Sequence, residues 1–222
     1  MTEATGAPRG IVLVLHGGQS KSTATVSPRQ LAVLRMIPLA DAVRRAVGGD
    51  GIEVRRPLFT IRGWNGARAS PVADLMRLLD DIHAAHASVP VVLIGHSMGA
   101  RAAVRAAGHP AVIAVAGLAP WLPPDDPVEQ LAGRRALLAH GTTDRITSPA
   151  ETWAYAERAR AVCDLTVIQV ARGDHPMLRR AGLWHGLAAE FARATFGLPA
   201  GVGEAAAALA ASARGARTVV LS

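Results

Sequence analysis

The chain has 222 residues, of which half are hydrophobic, with a single cysteine and a formal net charge of +7. A chain of this length can bury a substantial core as one domain, and one cysteine excludes an internal disulfide. No apolar run reaches the roughly 18 residues that a membrane span requires. The first residues carry an acid and no basic region, unlike a secretory signal, so we expect a soluble, cytoplasmic protein without a membrane span.

The positive charge comes almost wholly from arginine, since Lys21 is the only lysine. The arginines are spread along the chain and do not form a basic tail, and aromatic residues make up only 4%. Proteins that bind single-stranded nucleic acid need aromatic side chains on which bases stack. The composition therefore argues against a nucleic-acid partner and leaves a weak preference for anionic substrates or surfaces open.

In the first half of the chain, short apolar runs alternate with helical patterns. Residues 11–15 are fully apolar, as expected of a strand that is covered on both faces. A helix is predicted to begin near Ser27, which suits an N-cap and is followed by proline. Residues 52–56 predict a more polar strand of the kind found at sheet edges, and Ser70 opens a helix with apolar residues at helical spacing.

The same alternation continues in the second half. Further strands are predicted at residues 90–94, 111–116, 136–140 and 165–170. Further helices are predicted after residue 99, from residue 148 to about residue 160, and over roughly residues 176–196. Strands and helices of these lengths predict an α/β fold, with a mostly parallel, doubly wound sheet of about six to seven strands and helices on both faces.

The composition changes beyond Gly197, where the chain becomes rich in alanine with little that would bind it to a core. We expect residues 1–198 to form a single domain. Residues 199–222 are expected to form a loosely docked helix or a disordered tail.

The most informative motif is the G-x-S-x-G element formed by residues 95–99, between a predicted strand and a predicted helix. A strand that turns this sharply into a helix strains its central residue, and flanking glycines allow the backbone to pass close by. The pattern predicts that the Ser97 hydroxyl is held at the carboxyl edge of a sheet, where a serine nucleophile is placed. Because the motif also occurs by chance, the hypothesis depends on partners elsewhere in the chain.

A serine hydroxyl becomes reactive only beside a base that is itself oriented. Asp144 follows the predicted strand at 136–140, and His175 follows the one at 165–170. Since the carboxyl ends of parallel strands line one edge, we expect Ser97, Asp144 and His175 to meet there. Each residue alone is compatible with a structural role, but together they predict a catalytic triad. In it, His175 moves the serine proton and Asp144 orients the imidazole.

Three other acids compete with Asp144 for the orienting role. Asp125 and Asp126 follow the preceding strand within a proline-rich turn that leads into a short helix, and they rank second. Asp174 adjoins His175 but points away from it in most turns, and it ranks third.

The developing oxyanion needs hydrogen-bond donors. The amide of Met98, directly after the serine, is expected to supply one. The other is expected from the loop after the first strand, residues 16–20, where the amide of Gly18 is the first candidate and that of Gln19 the second. A tight strand-to-loop turn is the structural alternative for this loop.

These motifs resemble the α/β-hydrolase superfamily over nearly the whole span of residues 11–196. The resemblance is carried by the G-x-S-x-G element, the His-Gly-Gly loop, Asp144 and His175. It implies a serine hydrolase that forms an acyl-enzyme intermediate and needs no metal or organic cofactor.

The chain departs from larger members of the superfamily in two ways. It reaches the oxyanion strand within about ten residues, so the first antiparallel strands of larger members are missing, and the connection over residues 117–134 is short where many relatives insert a cap. The chain is therefore similar to small capless esterases and dienelactone-hydrolase-like proteins. The latter carry cysteine where this chain has Ser97, and Cys163 is expected to be an inert thiol.

The substrate pocket is expected to have mostly apolar walls, which suit an acyl or alkyl group and hence small to medium carboxylic esters. The wall residues are predicted to be Trp64, Trp121, Leu122 and Met177. A thioesterase is the first alternative, although discrete thioesterases usually carry a lid. A non-catalytic binding protein on a hydrolase scaffold is the second, although such proteins tend to lose a triad member. The sequence does not indicate the oligomeric state.

Overall fold

The computed structural model describes residues 7–221. The first six residues, on which the expectation of no secretory signal rests, lie outside this range. The described chain forms one parallel sheet in the order β2-β1-β3-β4-β5-β6-β7. Its strands are β1 (Gly10–Leu15), β2 (Ile52–Arg55), β3 (Val91–His96), β4 (Val112–Leu118), β5 (Arg135–Gly141), β6 (Asp164–Val170) and β7 (Val219–Leu221). The predicted parallel sheet is confirmed, with β2 at an edge as its polar pattern indicates.

Helices cover both faces of the sheet, as predicted. The helices are α1 (Leu31–Leu34), α2 (Met36–Val47), α3 (Ser70–Ala85), α4 (Met98–Arg105), α5 (Pro149–Ala159), α6 (Ala181–Thr195) and α7 (Glu204–Ala213). Helices α3, α4 and α5 bury their apolar residues with Ile11, Leu13 and Leu15 of β1. Helices α2, α6 and α7 bury theirs with Val12 and Val14. The alternating side chains of a fully apolar strand thus supply both cores.

The strand order places a crevice at the carboxyl edge of the sheet. From β1 the chain passes to β2 on one side and then to β3 on the other, so the connections leave β1 and β3 in opposite directions. Ligands of open α/β sheets bind at such a switch point. The two strand ends are neighbours, with Leu15 opposite Gly95 in the register, so the loops that follow them meet at this crevice.

Two predicted helix starts are wrong. The Ser27 pattern forms a turn, in which the Gln30 amide donates to the Ser27 carbonyl at 3.1 Å, and the helix begins only at Leu31 because Gln30 is extended. Helix α6 begins at Ala181, since Met177 and Arg180 adopt positive φ angles of 57° and 60° that interrupt a helix. By contrast, Ser148 caps α5 as predicted, with its side chain accepting from the Glu151 amide.

The alanine-rich segment adds a strand that the sequence did not predict. Ala205 and Ala208 of α7 are buried in the same core as α6. Beyond this helix, Val219–Leu221 pairs with β6 and extends the sheet to seven strands. The sequence predicted a loosely docked helix or a disordered tail here, and the structure has a helix that shares a core with α6, followed by this strand.

No cap domain is inserted between β4 and β5 at the carboxyl edge of the sheet. Residues 119–134 join β4 to β5 and contain only one short 3₁₀ turn, Glu129–Leu131. Among residues 7–221, none of the helices combines the length and the apolarity needed to cross a membrane.

Candidate active site

Ser97 lies in a strained elbow between β3 and α4, with φ 54° and ψ −118°. A side chain on Gly95 would stand 2.5 Å from the Ala100 nitrogen, and one on Gly99 would stand 2.5 Å from the His16 carbonyl oxygen. Both glycines are therefore required for strand, turn and helix to pack this closely. Within the described chain the Ser97 hydroxyl has no hydrogen-bond partner, which leaves it available to a substrate.

Asp144 lies in the loop after β5, with both carboxylate oxygens hydrogen-bonded. Its Oδ1 accepts from the amides of Ile146 at 2.8 Å and Thr147 at 3.0 Å. Its Oδ2 accepts from His175 Nδ1 at 2.8 Å. Burial raises the pKa of Asp144, but hydrogen bonds from His140, His175 and the two amides outweigh burial and hold it well below its usual value. The carboxylate is therefore ionised at neutral pH.

His175 is held beside the elbow by His96, the residue that precedes Ser97. The His96 Nε2–H donates to the His175 carbonyl oxygen at 2.8 Å, and the two ring centroids are 4.9 Å apart. Complete burial, with a smaller contribution from the nearby His175, lowers the pKa of His96 to about 3, so its imidazole is neutral. The neutral ring donates from Nε2, and its buried Nδ1 has no partner within the described residues.

The structure thus brings the three predicted triad residues to one edge. Asp144 and His175 are directly hydrogen-bonded, whereas Ser97 is joined to His175 through the neighbouring His96 and makes no direct hydrogen bond with it in the described chain. The His175 Nδ1–H points to the carboxylate, which leaves Nε2 as the nitrogen that can exchange a proton with a hydroxyl. Hydrogen bonds between nucleophile and base are often long until substrate binds.

A third histidine and two threonines, none of them predicted as site residues from the sequence, form hydrogen bonds around Asp144. His140, fully buried at the end of β5, contacts Asp144 Oδ2 through Nε2 at 3.1 Å and the Thr152 hydroxyl through Nδ1 at 2.7 Å. The Thr147 hydroxyl lies 3.0 Å from the same Oδ2 and 3.1 Å from His175 Nδ1. The sequence signal for His140 was its position at the end of an apolar strand, four residues before the acid.

The Met98 side chain lies against Gly18, the first candidate from the loop after β1. A side chain on Gly18 would stand 2.6 Å from Met98 Sδ and would also clash with the Arg62 carbonyl oxygen, so only glycine fits here without moving the backbone. Within the described residues the Gly18 amide donates to no acceptor, and the amide of Met98, the first residue of α4, has none within the helix. The Gln19 amide, the second candidate, is already donated to the Arg62 carbonyl at 2.8 Å and is not free.

A family model matches the sequence of this chain. The model of the alpha/beta hydrolase family matches residues 11–221, which is nearly the whole chain. The chain belongs to the alpha/beta hydrolase family.

Solved structures share the fold of this family member. An α/β serine hydrolase without a lid from Xanthomonas campestris is 18% identical with a TM-score of 0.59, over 90% of this chain and 88% of that one. The esterase domain of a Rhodothermus marinus protein is 18% identical with a TM-score of 0.59, over 87% and 89%. A monoacylglycerol lipase from Paleococcus ferrophilus is 17% identical with a TM-score of 0.60, over 86% and 96%. A search of curated proteins finds no match to this sequence.

The competing acids of this α/β hydrolase are placed in other roles. Asp126 is buried and forms a bidentate ion pair with Arg101 at 2.6 and 2.8 Å, and Asp125 is exposed. The Oδ1 of Asp174 accepts from the Arg179 amide at 3.0 Å. Only Asp144 among the four candidates is hydrogen-bonded to His175.

The predicted wall residues are divided between two cavities and the core. Trp64 and Trp121 line a cavity of about 520 Å³ together with Arg101, whose guanidinium lies 4.1 and 4.4 Å from the two indole rings. Met177 lines a separate cavity, and Leu122 is buried in the core. The expected single apolar wall is therefore two surfaces of different chemistry. Among residues 7–221, no group of three or more His, Cys, Asp or Glu side chains is arranged to hold a metal ion.

Proposed function

We propose that this member of the alpha/beta hydrolase family is a serine hydrolase that cleaves small to medium carboxylic esters through an acyl-enzyme intermediate. The observation that carries the proposal is the pairing of a strained, unpartnered Ser97 hydroxyl with the Asp144–His175 hydrogen bond at the same sheet edge. The similar structures include an esterase domain and a lipase, which supports this reaction class.

In the first half of the reaction, His175 Nε2 accepts the Ser97 proton while Oγ attacks the ester carbonyl carbon. The resulting imidazolium is stabilised by the ionised Asp144, 2.8 Å from Nδ1. Because hydrogen bonds from neighbouring groups already satisfy this carboxylate, it holds the ring orientation and does not take the proton itself.

The carbonyl oxygen becomes negatively charged as the tetrahedral intermediate forms. The amides of Gly18 and Met98 donate to no acceptor among the described residues and are therefore free to donate to it. Loss of one such donor typically costs about 10²–10³ in kcat. His175 then gives its proton to the leaving alcohol oxygen, and water repeats the sequence to release the acid.

Ser97→Ala tests the proposal directly. The purified protein should hydrolyse p-nitrophenyl acetate and butyrate, and the variant should lose at least about 10³-fold in kcat/KM, since an alanine cannot attack. Ser212→Ala, on α7 and hydrogen-bonded to Thr166, is the matched control and should keep full activity. Circular dichroism spectra check that both variants fold.

A fluorophosphonate probe with peptide mapping provides an independent measurement, since only an activated serine is labelled rapidly. Labelling of Ser97 is expected, and full activity of Ser97→Ala would show that another nucleophile operates. Turnover of acetyl-CoA and butyryl-CoA is measured beside the oxygen esters, and faster thioester cleavage would contradict the carboxylesterase assignment.

A further inference from the structure

A groove of about 320 Å³ is lined in part by the two residues that follow His175 in the chain. Its apolar lining, here called the apolar groove, consists of Leu31, Leu34, Pro38, Pro176, Met177 and Leu178. Pro176 and Met177 directly follow His175, so the groove begins where the catalytic loop ends. Its volume lies at the lower end of the roughly 300–1,000 Å³ typical of small-molecule sites.

The leucines of the apolar groove are unusually exposed. Leu31 is 76% exposed, Leu178 is 68% exposed and Leu34 is 40% exposed. They come from two distant parts of the chain, α1 and the turn before α6, and meet at one surface. Contiguous exposed apolar side chains beside a reactive group mark a place where a ligand is bound.

The charges around the groove disfavour a cationic ligand. Arg35 is the one permanent charge in its described lining, and no acidic side chain lines it. His185 also lines it, and burial, with a smaller effect of the nearby Arg45, lowers the pKa of His185, which keeps this imidazole neutral at pH 7. A cationic chain would meet the Arg35 guanidinium, whereas a hydrocarbon chain contacts leucine and proline.

The position of the groove identifies which part of an ester it would meet. Because Asp144 occupies His175 Nδ1, the ring delivers its proton from Nε2 to the leaving oxygen. The group attached to that oxygen therefore lies on the His175 side. The cavity lined by Trp64 and Trp121 lies on the opposite face of the sheet from the apolar groove. On that face, Trp121 donates its amide to the Ser97 carbonyl at 3.3 Å.

We propose that the apolar groove binds the alkyl chain of the leaving alcohol, so that the preferred substrates are esters of uncharged, medium-chain primary alcohols. This inference rests on the proposed function, and it concerns the alcohol part of the ester rather than the acyl part.

Two homologous ester series test it. Methyl, butyl and hexyl acetate vary the alcohol, and methyl acetate, butanoate and hexanoate vary the acyl group, with hydrolysis followed in a pH-stat. In the alcohol series kcat/KM should rise by up to about fourfold for each buried methylene. The acyl series should rise less. An equal or steeper rise in the acyl series would overturn the proposal.

Leu178→Asp places a charge in the groove and should remove most of the gain from methyl to hexyl acetate. Leu31→Asp, at the exposed start of α1, is a second variant in case the first folds poorly, and it should act in the same direction. Val202→Asp, 99% exposed between α6 and α7, is the matched control and should keep the full gain. An unchanged gain in both groove variants, or an equal loss in the control, contradicts the assignment.

Failure of this inference can be told apart from failure of the proposed function. If Ser97-dependent hydrolysis is observed but kcat/KM does not rise along the alcohol series, the proposed function is supported and the role of the groove is not. If no ester is cleaved, calorimetric titration of the wild type with 1-hexanol still tests the groove. Binding that Leu178→Asp and Leu31→Asp weaken supports it, and absence of binding overturns it.

Discussion

The site has an elbow half, residues 95–99 with the loop 16–20, and an acid–base half, the loops after β5 and β6. In the elbow half, geometry is set by backbone atoms that approach where glycine leaves room, as at Gly99 against His16. In the acid–base half, it is set by side-chain hydrogen bonds, as between Asp144 and His175. The elbow half depends on the absence of side chains at its glycines, whereas the acid–base half depends on particular side chains that form hydrogen bonds. Substitutions should therefore affect the two halves differently.

Asp144→Asn should produce the largest effect, because it alters the acid–base half while keeping its shape. The amide of asparagine cannot stabilise an imidazolium and favours the wrong tautomer of His175, so kcat should fall by about 10⁴-fold, as for the equivalent change in the chymotrypsin template. The unfolding midpoint in urea should also fall, because an asparagine amide cannot accept all of the hydrogen bonds that the carboxylate accepts. Steady-state hydrolysis of p-nitrophenyl butyrate measures the change.

Asp125→Asn is the matched control for this prediction, since Asp125 is an exposed acid that follows the preceding strand. It should retain wild-type kcat. A comparable loss in the control, or wild-type activity in Asp144→Asn, would show that the orienting acid lies elsewhere.

Gly99→Ala should damage the elbow half in both stability and activity. The added methyl would stand 2.5 Å from the His16 carbonyl oxygen and 2.6 Å from that of Leu15, so α4 and the end of β1 must separate. Forcing an extra methyl into a packed site costs about 1–3 kcal/mol in the free energy of unfolding. The same shift moves Gly18 away from Met98, and a displacement of about 1 Å can reduce kcat/KM by about 10²-fold.

Gly182→Ala, in the first turn of α6, is the control because its added methyl would meet nothing within 4 Å. This variant should be as stable as the wild type, or more stable by about 0.4–1 kcal/mol. Urea unfolding and ester hydrolysis are measured on both proteins. If Gly99→Ala matched this control, the close approach at the elbow would not matter for function.

The two halves also differ in how far the sequence predicts them. The elbow was predictable from a short motif because glycine spacing, strand and helix are all local features. The meeting of Asp144 with His175 followed from their positions after parallel strands. The spacing of His140 four residues before Asp144 was a local signal for their contact. The contact of His140 with Thr152 was not predictable, since it depends on how β5 and α5 pack, which no local pattern specifies.

The fold shows the same limit. Strands β1 and β3 contain the apolar runs at residues 11–15 and 91–94, and their position inside the sheet rather than at its edge follows from that pattern. Strand β7 has only three residues and forms because β6 offers it a free edge. The capping pattern at Ser27 matched a turn as well as a helix, because serine side chains accept hydrogen bonds in both.

His96→Gln should change the pH dependence of stability, and it concerns the residue that joins the two halves. Burial lowers the pKa of His96 from 6.5 to about 3 in the folded protein. Between these values the unfolded state binds a proton that the folded state does not, so stability falls as pH decreases. This residue alone contributes a slope of about 1.4 kcal/mol per pH unit within that window.

Glutamine does not titrate, yet its amide still offers a donor toward the His175 carbonyl. The free energy of unfolding in urea, measured between pH 7 and pH 4, should therefore fall less steeply for His96→Gln than for the wild type. His16, whose pKa burial also lowers, is present in both proteins, so the difference between the two curves isolates residue 96. Curves that stay parallel over the whole range would show that folding does not lower the pKa of His96, and that burial therefore does not exclude the protonated ring from the link between Ser97 and His175.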